Sequence, residues 1–99
     1  MSRVGLVTGA AQGIGRAIAL RLAKDGFHIA LNDLEVNSSE LEKLQQEIEQ
    51  IGRKSIIIIA DVSASESVEK MMQDVVQQLG SLDVCICFTP FTHFNLFLL

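Results

Sequence analysis

The residues best suited to chemistry lie in one stretch, Thr8-Gly9-Ala10-Ala11-Gln12-Gly13-Ile14-Gly15, whose glycines follow a Gly-x-x-x-Gly-x-Gly spacing. The apolar run Val4-Gly5-Leu6-Val7 before it reads as a buried strand. The run Ile14 to Ala23 after it is rich in helix formers. A strand that turns through glycines into a helix gathers free backbone N–H groups and the positive end of a dipole at one point. That arrangement suits an anion, above all a phosphate. Gly9 would permit the tight turn, Gly13 the approach of a pyrophosphate to the backbone, and Gly15 the close packing of helix on strand. Gln12 and Ile14, interleaved with them, belong to the same candidate contact set. Three glycines alone also fit an ordinary loop.

Two carboxylates fall where such a ligand would need them. Asp33 lies eighteen residues beyond Gly15, about the distance to an acid that accepts hydrogen bonds from the 2′- and 3′-hydroxyls of an adenine ribose. The same carboxylate repels a 2′-phosphate: two unit charges ~4 Å apart interact by about 4 kcal/mol at an effective dielectric near 20, less with screening. NAD is therefore expected over NADP, with Arg16, near the phosphates, softening the preference. The other reading of Asp33 is a loop cap. Asp61 follows the apolar run Ser55 to Ala60 and could accept from an adenine amino group, with Val62 packed on the ring. Alternatively, Asp61 stabilises the helix start that follows it.

The elements that must position these groups alternate in type. Phe27 to Leu31 reads as a second strand, with Asn32-Asp33 at its carboxyl end. A helix then starts near Asn37-Ser38-Ser39, with a capping box expected at Ser39 and Glu42 and an apolar face at Leu41, Leu44, Ile48 and Ile51. Ser55 to Ala60 shows no polar alternation, which predicts a strand covered on both faces. A second capping pattern at Ser63 and Glu66 opens a helix lined by Val68, Met71, Met72, Val75, Val76 and Leu79, and a fourth strand begins at Leu82 and runs to Cys87. Alternating strands and helices with right-handed crossovers give a doubly wound parallel sheet of order 3-2-1-4, its switch point beside the glycine turn.

Composition narrows the class. The 99 residues allow one small domain, and 48% hydrophobic with 20% charged residues is a globular composition. A net charge of −4 and an isoelectric point near 5.0 argue against nucleic acid as partner. Cys85 and Cys87 alternate in an apolar run and read as core residues, with no further ligands to complete a metal site. The N-terminus moves straight into the first strand with no secretory pattern, so a cytoplasmic protein is expected, with no membrane partner.

Taken together, Thr8-Gly9-x-x-x-Gly13-Ile14-Gly15, Asp33, Asp61-Val62 and Leu82-Asp83-Val84 resemble the N-terminal half of a short-chain dehydrogenase/reductase. The run from Leu6 to Leu22, with Lys24-Asp25-Gly26-Phe27, is particularly similar to the acetoin (diacetyl) reductase and 2,3-butanediol dehydrogenase branch. The resemblance implies an α/β, Rossmann-type doubly wound parallel sheet, here truncated to about four strands and three helices. It also implies hydride transfer between a nicotinamide dinucleotide and a ketone or alcohol.

The similarity covers about residues 3 to 84 and then breaks. Residues 1–87 are expected to form the dinucleotide-binding half-domain and residues 88–99 an apolar tail outside the family pattern. Four of the five phenylalanines fall in those last twelve residues, where the family carries Asn-Ala-Gly. A frameshift, a retained intron or an alternative end would produce such a tail. The resemblance also implies a downstream catalytic Ser and a Tyr-x-x-x-Lys pair. The sequence contains no Tyr, and no Lys beyond Lys70, so no catalytic residue is assigned in these 99 residues. A small-molecule substrate and the family's oligomer surfaces are expected only in a full-length relative.

Overall fold

The computed structural model describes residues 3–61, 65–88 and 94–98. Its elements are β1 (Val4–Val7), α1 (Gly13–Lys24), β2 (His28–Asp33), a 3-10 turn at Glu35–Asn37, α2 (Ser38–Gln50), β3 (Ser55–Ile59), α3 (Ser65–Leu79), β4 (Val84–Phe88) and β5 (Phe94–Leu98). The sheet order is β3-β2-β1-β4-β5. The first four strands are mutually parallel, and β5 pairs antiparallel with β4, Cys85 opposite Phe97 and Ile86 opposite Leu96. The expected doubly wound 3-2-1-4 sheet is therefore present, and β4 is flanked by β5 rather than left as an edge.

Alternation along the strands feeds two cores. Val7, Ile29 and Leu31 pack with Ala19 and Ala23 of α1 and with Leu41, Leu44 and Ile48 of α2. Val4, Leu6, Ala30, Cys85 and Cys87 pack with Met71 and Val75 of α3. Successive residues of a strand point to opposite faces, so β1 is buried along its whole length between the two layers. Asp83 pins the start of the central pair: its Oδ2 accepts from Val4 N (2.8 Å) and Ser81 Oγ (3.2 Å), while its own N–H donates to Val4 O (2.9 Å).

Three local expectations give way to tertiary context. β3 is only half-buried, because it is the outer strand of the sheet and is paired on one side only. The capping box at Ser39 and Glu42 does not form. The 3-10 turn leads directly into α2, so Asn37 is its N-cap and Ser39 already lies within the first helical turn, with no side-chain cap bond at Asn37. Ile51 falls past the end of α2, and Val76 lies on the outer face of α3; both are exposed. The second capping pattern and Val62 lie outside the described residues or side chains.

Candidate functional site

The glycine turn leaves the carboxyl end of β1 at the point where the chain's neighbours diverge to β2 on one side and β4 on the other. It is stitched to both. Thr8 N–H donates to Ile86 O of β4 (3.0 Å), and Ala10 N–H donates to Asn32 O of β2 (3.0 Å). The loop is thus held by the sheet on either side before any ligand is considered.

Each glycine answers to a different local demand. Gly9 and Gly13 have φ of +61° and +64°, in the left-handed region that side chains rarely adopt. A Cβ built on Gly13 meets nothing within 4 Å, so the space beside its backbone is open. A Cβ on Gly15 would lie 2.2 Å from Gly9 O and 2.9 Å from Gly9 C. Gly15 is thus the point where the first turn of α1 lies against the turn's own backbone. Gln12 is the N-cap, extended at φ −157° and ψ 170°, and its side chain makes no capping bond. With no acidic residue in the first turn of α1, its N–H groups are available to an outside acceptor. Ile14 is 70% exposed, an apolar side chain at the rim of that opening.

Asp33 ends β2 and reaches back to the turn. Its Oδ2 accepts from Ala11 N (3.1 Å), and its Oδ1 accepts from Leu34 N (2.8 Å) and Asn37 Nδ2 (3.0 Å). One carboxylate thus braces the glycine turn and caps the loop after β2. These contacts are those of the loop-cap reading of Asp33. Asn32 is a residue whose role sequence reasoning missed. It is buried at 1% exposure, and its Nδ2 donates to Ile58 O (3.0 Å) and Ala60 O (3.2 Å), tying the ends of β2 and β3. The available signal was an amide side chain at an apolar strand's end, directly before the acid.

Asp61 follows β3, one residue beyond Ala60, whose N–H donates to Asp33 O (3.3 Å). It lines a cleft of about 290 Å³ with Ile58, Ile59, Ala60, Lys70, Met71 and Asp74. The structure thus gathers Gly9, Gln12, Gly13, Ile14, Gly15, Asp33 and Asp61 at the carboxyl ends of β1, β2 and β3. Arg16 is turned elsewhere, its guanidinium paired with Glu47 of α2, so it braces α1 on α2 instead of standing free beside a phosphate. At the end of β4, Cys85 and Cys87 share a buried contact, Sγ to Sγ 3.2 Å. The Cys85 hydrogen bond, followed by one from Thr8, holds the Cys87 thiol down at about 7 against the opposing effect of burial.

A cradle with open space at Gly13, no Cβ at Gly15 and uncapped N–H groups fits the diphosphate of a dinucleotide. A sequence profile described as short chain dehydrogenase matches residues 3–89. The chain belongs to the short-chain dehydrogenase family. It is 59% identical over 85 residues to a short-chain dehydrogenase/reductase of Armillaria gallica, covering 86% of this chain and 33% of the relative. Among solved structures, an alcohol dehydrogenase of Thermococcus sibiricus complexed with 5-hydroxy-NADP superposes with a TM-score of 0.76 at 40% identity, over 86% of this chain and 36% of that one. An NAD+-bound xylitol dehydrogenase superposes with a TM-score of 0.74 at 38% identity, over 82% of this chain and 30% of its own. This short-chain dehydrogenase sequence thus spans about a third of the length of the relatives it matches. Among the described residues, no helix is long and apolar enough to cross a membrane.

Proposed function

We propose that the chain binds NAD(H) through its glycine turn and prefers it to NADP(H). The observation that carries this reading is the Asp33 carboxylate, held against Ala11 N at the turn by its Oδ2. There a negative charge would accept from ribose hydroxyls and oppose a 2′-phosphate. Gly9, Gln12, Gly13, Ile14 and Gly15 would cradle the pyrophosphate, with the first-turn N–H groups of α1 donating to it. Asp61, with Val62 after it, would meet the adenine. Arg16 does not soften the preference in this reading, because its charge is taken up by Glu47.

When bound, the nicotinamide supplies or accepts the hydride exchanged with a ketone or alcohol. That oxidoreductase activity, with an acetoin- or diacetyl-like substrate, is the reaction proposed for a whole protein of this family. These 99 residues contribute the dinucleotide half of it. The substrate branch rests on the similarity of residues 6–27 alone. Because no Tyr occurs in the sequence, no Tyr can donate the proton within it, and the isolated chain is expected to bind without turnover. In this reading the segment 88–99 is a tail outside the family pattern. Cytoplasmic residence belongs to the same proposal and is in keeping with two free thiols.

The test is titration of the purified chain with NADH and NADPH, followed by fluorescence and by thermal shift. Saturable NADH binding at least tenfold tighter than NADPH supports the reading. Absence of binding at millimolar NADH refutes it, and equal affinities refute the role given to Asp33.

A further inference from the structure

We propose that Cys85 and Cys87 form a reversible redox pair, closing to a disulfide when a hydroperoxide reaches Cys87 at the carboxyl end of β4. Residues two apart on a strand point to the same face, and here both thiols face α3, in the layer they share with Val4, Leu6, Met71 and Val75. Their Sγ atoms lie 3.2 Å apart, in hydrogen-bond contact. A disulfide bond is about 2.05 Å long, so the sulfurs have about 1 Å left to close.

The two thiols are not equivalent. Cys85 is fully buried, opposite Leu6 of β1, whereas Cys87 keeps 8% exposure near the strand's end. The hydrogen bond from Cys85, backed by one from Thr8, holds the Cys87 thiol at about 7 against burial, while the same contact and burial push Cys85 up. Cys87 is therefore the nucleophilic thiolate, and Cys85 keeps its proton. The partial exposure of Cys87 suits an oxidant little larger than water, hydrogen peroxide. The thiolate attacks one peroxide oxygen, the O–O bond breaks, hydroxide leaves, and Cys87 becomes a sulfenic acid. The Cys85 sulfur then attacks the Cys87 sulfur, and the hydroxyl departs as water with the Cys85 proton. Two thiols and one peroxide give one disulfide and two waters, the pair losing two electrons to the O–O bond.

As plain core fillers these thiols would be inert, since a sulfur in apolar surroundings stays protonated. What sets this pair apart is that each sulfur has the other as its polar neighbour, with Thr8 bonded to the outer one. No third metal-ligating side chain joins them among the described residues, so the pair suits a bridge rather than an ion. Alternate residues of a strand stand about 6.6 Å apart, close to the upper limit of about 6.8 Å between bridged Cα atoms, and such strain makes a disulfide easier to reduce. Closure also pulls on Ile86 between the two, whose carbonyl accepts from Thr8 N (3.0 Å), so the redox state reaches the first residue of the glycine turn. Formation of the bridge is independent of dinucleotide binding there.

The experiment treats the folded chain with hydrogen peroxide, then unfolds it in guanidinium and counts free thiols by iodoacetamide labelling and mass. Both thiols should be lost together, in a species that stays monomeric on a non-reducing gel, and dithiothreitol should restore both. In Cys85→Ala, Cys87 should stop at a sulfenic acid that dimedone traps, with at least about tenfold more trapping than in the parent, where Cys85 resolves it. Cys87→Ala should leave Cys85 open to alkylation after the same treatment. Oxidation should also shift the Thr8 amide resonance, reversed on reduction; an unmoved resonance refutes the link to the turn. Thiols that survive peroxide in the folded chain and are lost only when guanidinium is added first overturn the proposal. Linked dimers, thiols that dithiothreitol does not restore, or dimedone uptake as high in the parent as in Cys85→Ala overturn it equally. The thiol count on the parent needs no variant, so it decides the matter even if a substituted chain does not fold.

Discussion

Replacing Gly15 by Ala tests whether the glycine turn is shaped by packing or only by backbone freedom. Gly15 is the third residue of α1, a position where Ala is intrinsically better than Gly by up to about 1 kcal/mol. Propensity alone therefore predicts stabilisation. The structure predicts the opposite, because the new methyl would stand 2.2 Å from Gly9 O, 2.9 Å from Gly9 C and 3.3 Å from Ala10 Cα. All three are backbone atoms, so no side chain can swing aside, and α1 must move by about 1 Å to restore ordinary contact. Overpacking of this kind costs about 1–3 kcal/mol, and a backbone clash belongs at the upper end of that range. Net of propensity, about 2 kcal/mol of stability is lost, a fall in midpoint of roughly 10 °C for a domain of this size. The same movement misaligns the first-turn N–H groups, each worth about 1.5–3 kcal/mol against a charged acceptor, so NADH affinity should fall by about 10²-fold or more. Gly13→Ala is the companion measurement. It meets nothing within 4 Å but carries a φ of +64°, so it should cost only about 1–2 kcal/mol while closing the space beside the backbone. Denaturant unfolding and NADH fluorescence titration read both quantities. A Gly15→Ala chain that melts within about 2 °C of the parent and binds NADH equally well would refute the packing argument.

Other expectations follow from single contacts. Asp33→Asn keeps an acceptor for Ala11 N but removes the charge, so the NADH to NADPH affinity ratio should fall by about tenfold or more, read by parallel titrations. His28 Nδ1 accepts from Lys54 N (2.9 Å), which requires the neutral ring, and burial together with the Arg53 and Lys54 charges lowers its pKa below 6.5. The unfolded chain then binds this proton more readily, so stability is complete above pH 6.5 and declines as pH falls through the folded pKa; unfolding of His28→Gln should lack that component. Cys85→Ala removes the hydrogen bond that lowers Cys87, so the pH profile of Cys87 alkylation by iodoacetamide should move up from about 7; an unmoved profile would assign the shift to Thr8. Arg16→Ala should cost no more than about 1 kcal/mol in denaturant unfolding, since its pair with Glu47 is partly exposed, and should leave the coenzyme preference unchanged.

The parts of this structure that were legible in the sequence are those governed by near neighbours. Val4–Val7, the glycine turn and the helix after it follow from local chemistry, since an apolar β-branched run, two left-handed positions and a run of helix formers each constrain their own backbone. The 3.6-residue rhythm of Leu41, Leu44 and Ile48 found its buried face for the same reason. The failures share one cause, which is competition between local patterns and distant groups. Ser39 and Glu42 form a sound capping pattern, but the 3-10 turn at Glu35–Asn37 moved the helix start upstream, and Asp33 now takes the Asn37 amide. The four-isoleucine run of β3 promised cover on both faces, yet cover depends on the number of neighbours a strand receives, which no property of the strand records.

Arg16 and Asp33 carry that point into the site itself. Both were singled out for their distance along the chain from the glycines, and spacing treats them alike. Folding separates them. Arg16 finds Glu47, thirty-one residues away, and its charge is spent on holding α1 to α2. Asp33 finds Ala11, twenty-two residues away, and its charge is brought to the turn. In the proposed preference for NAD over NADP, the carboxylate at the turn carries the discrimination, and Arg16, paired with Glu47, does not enter it. Were Arg16 free, a cation would stand ready to offset Asp33. Glu47 of α2 holds it, and the carboxylate of Asp33 is the charge that the fold brings to Ala11 N.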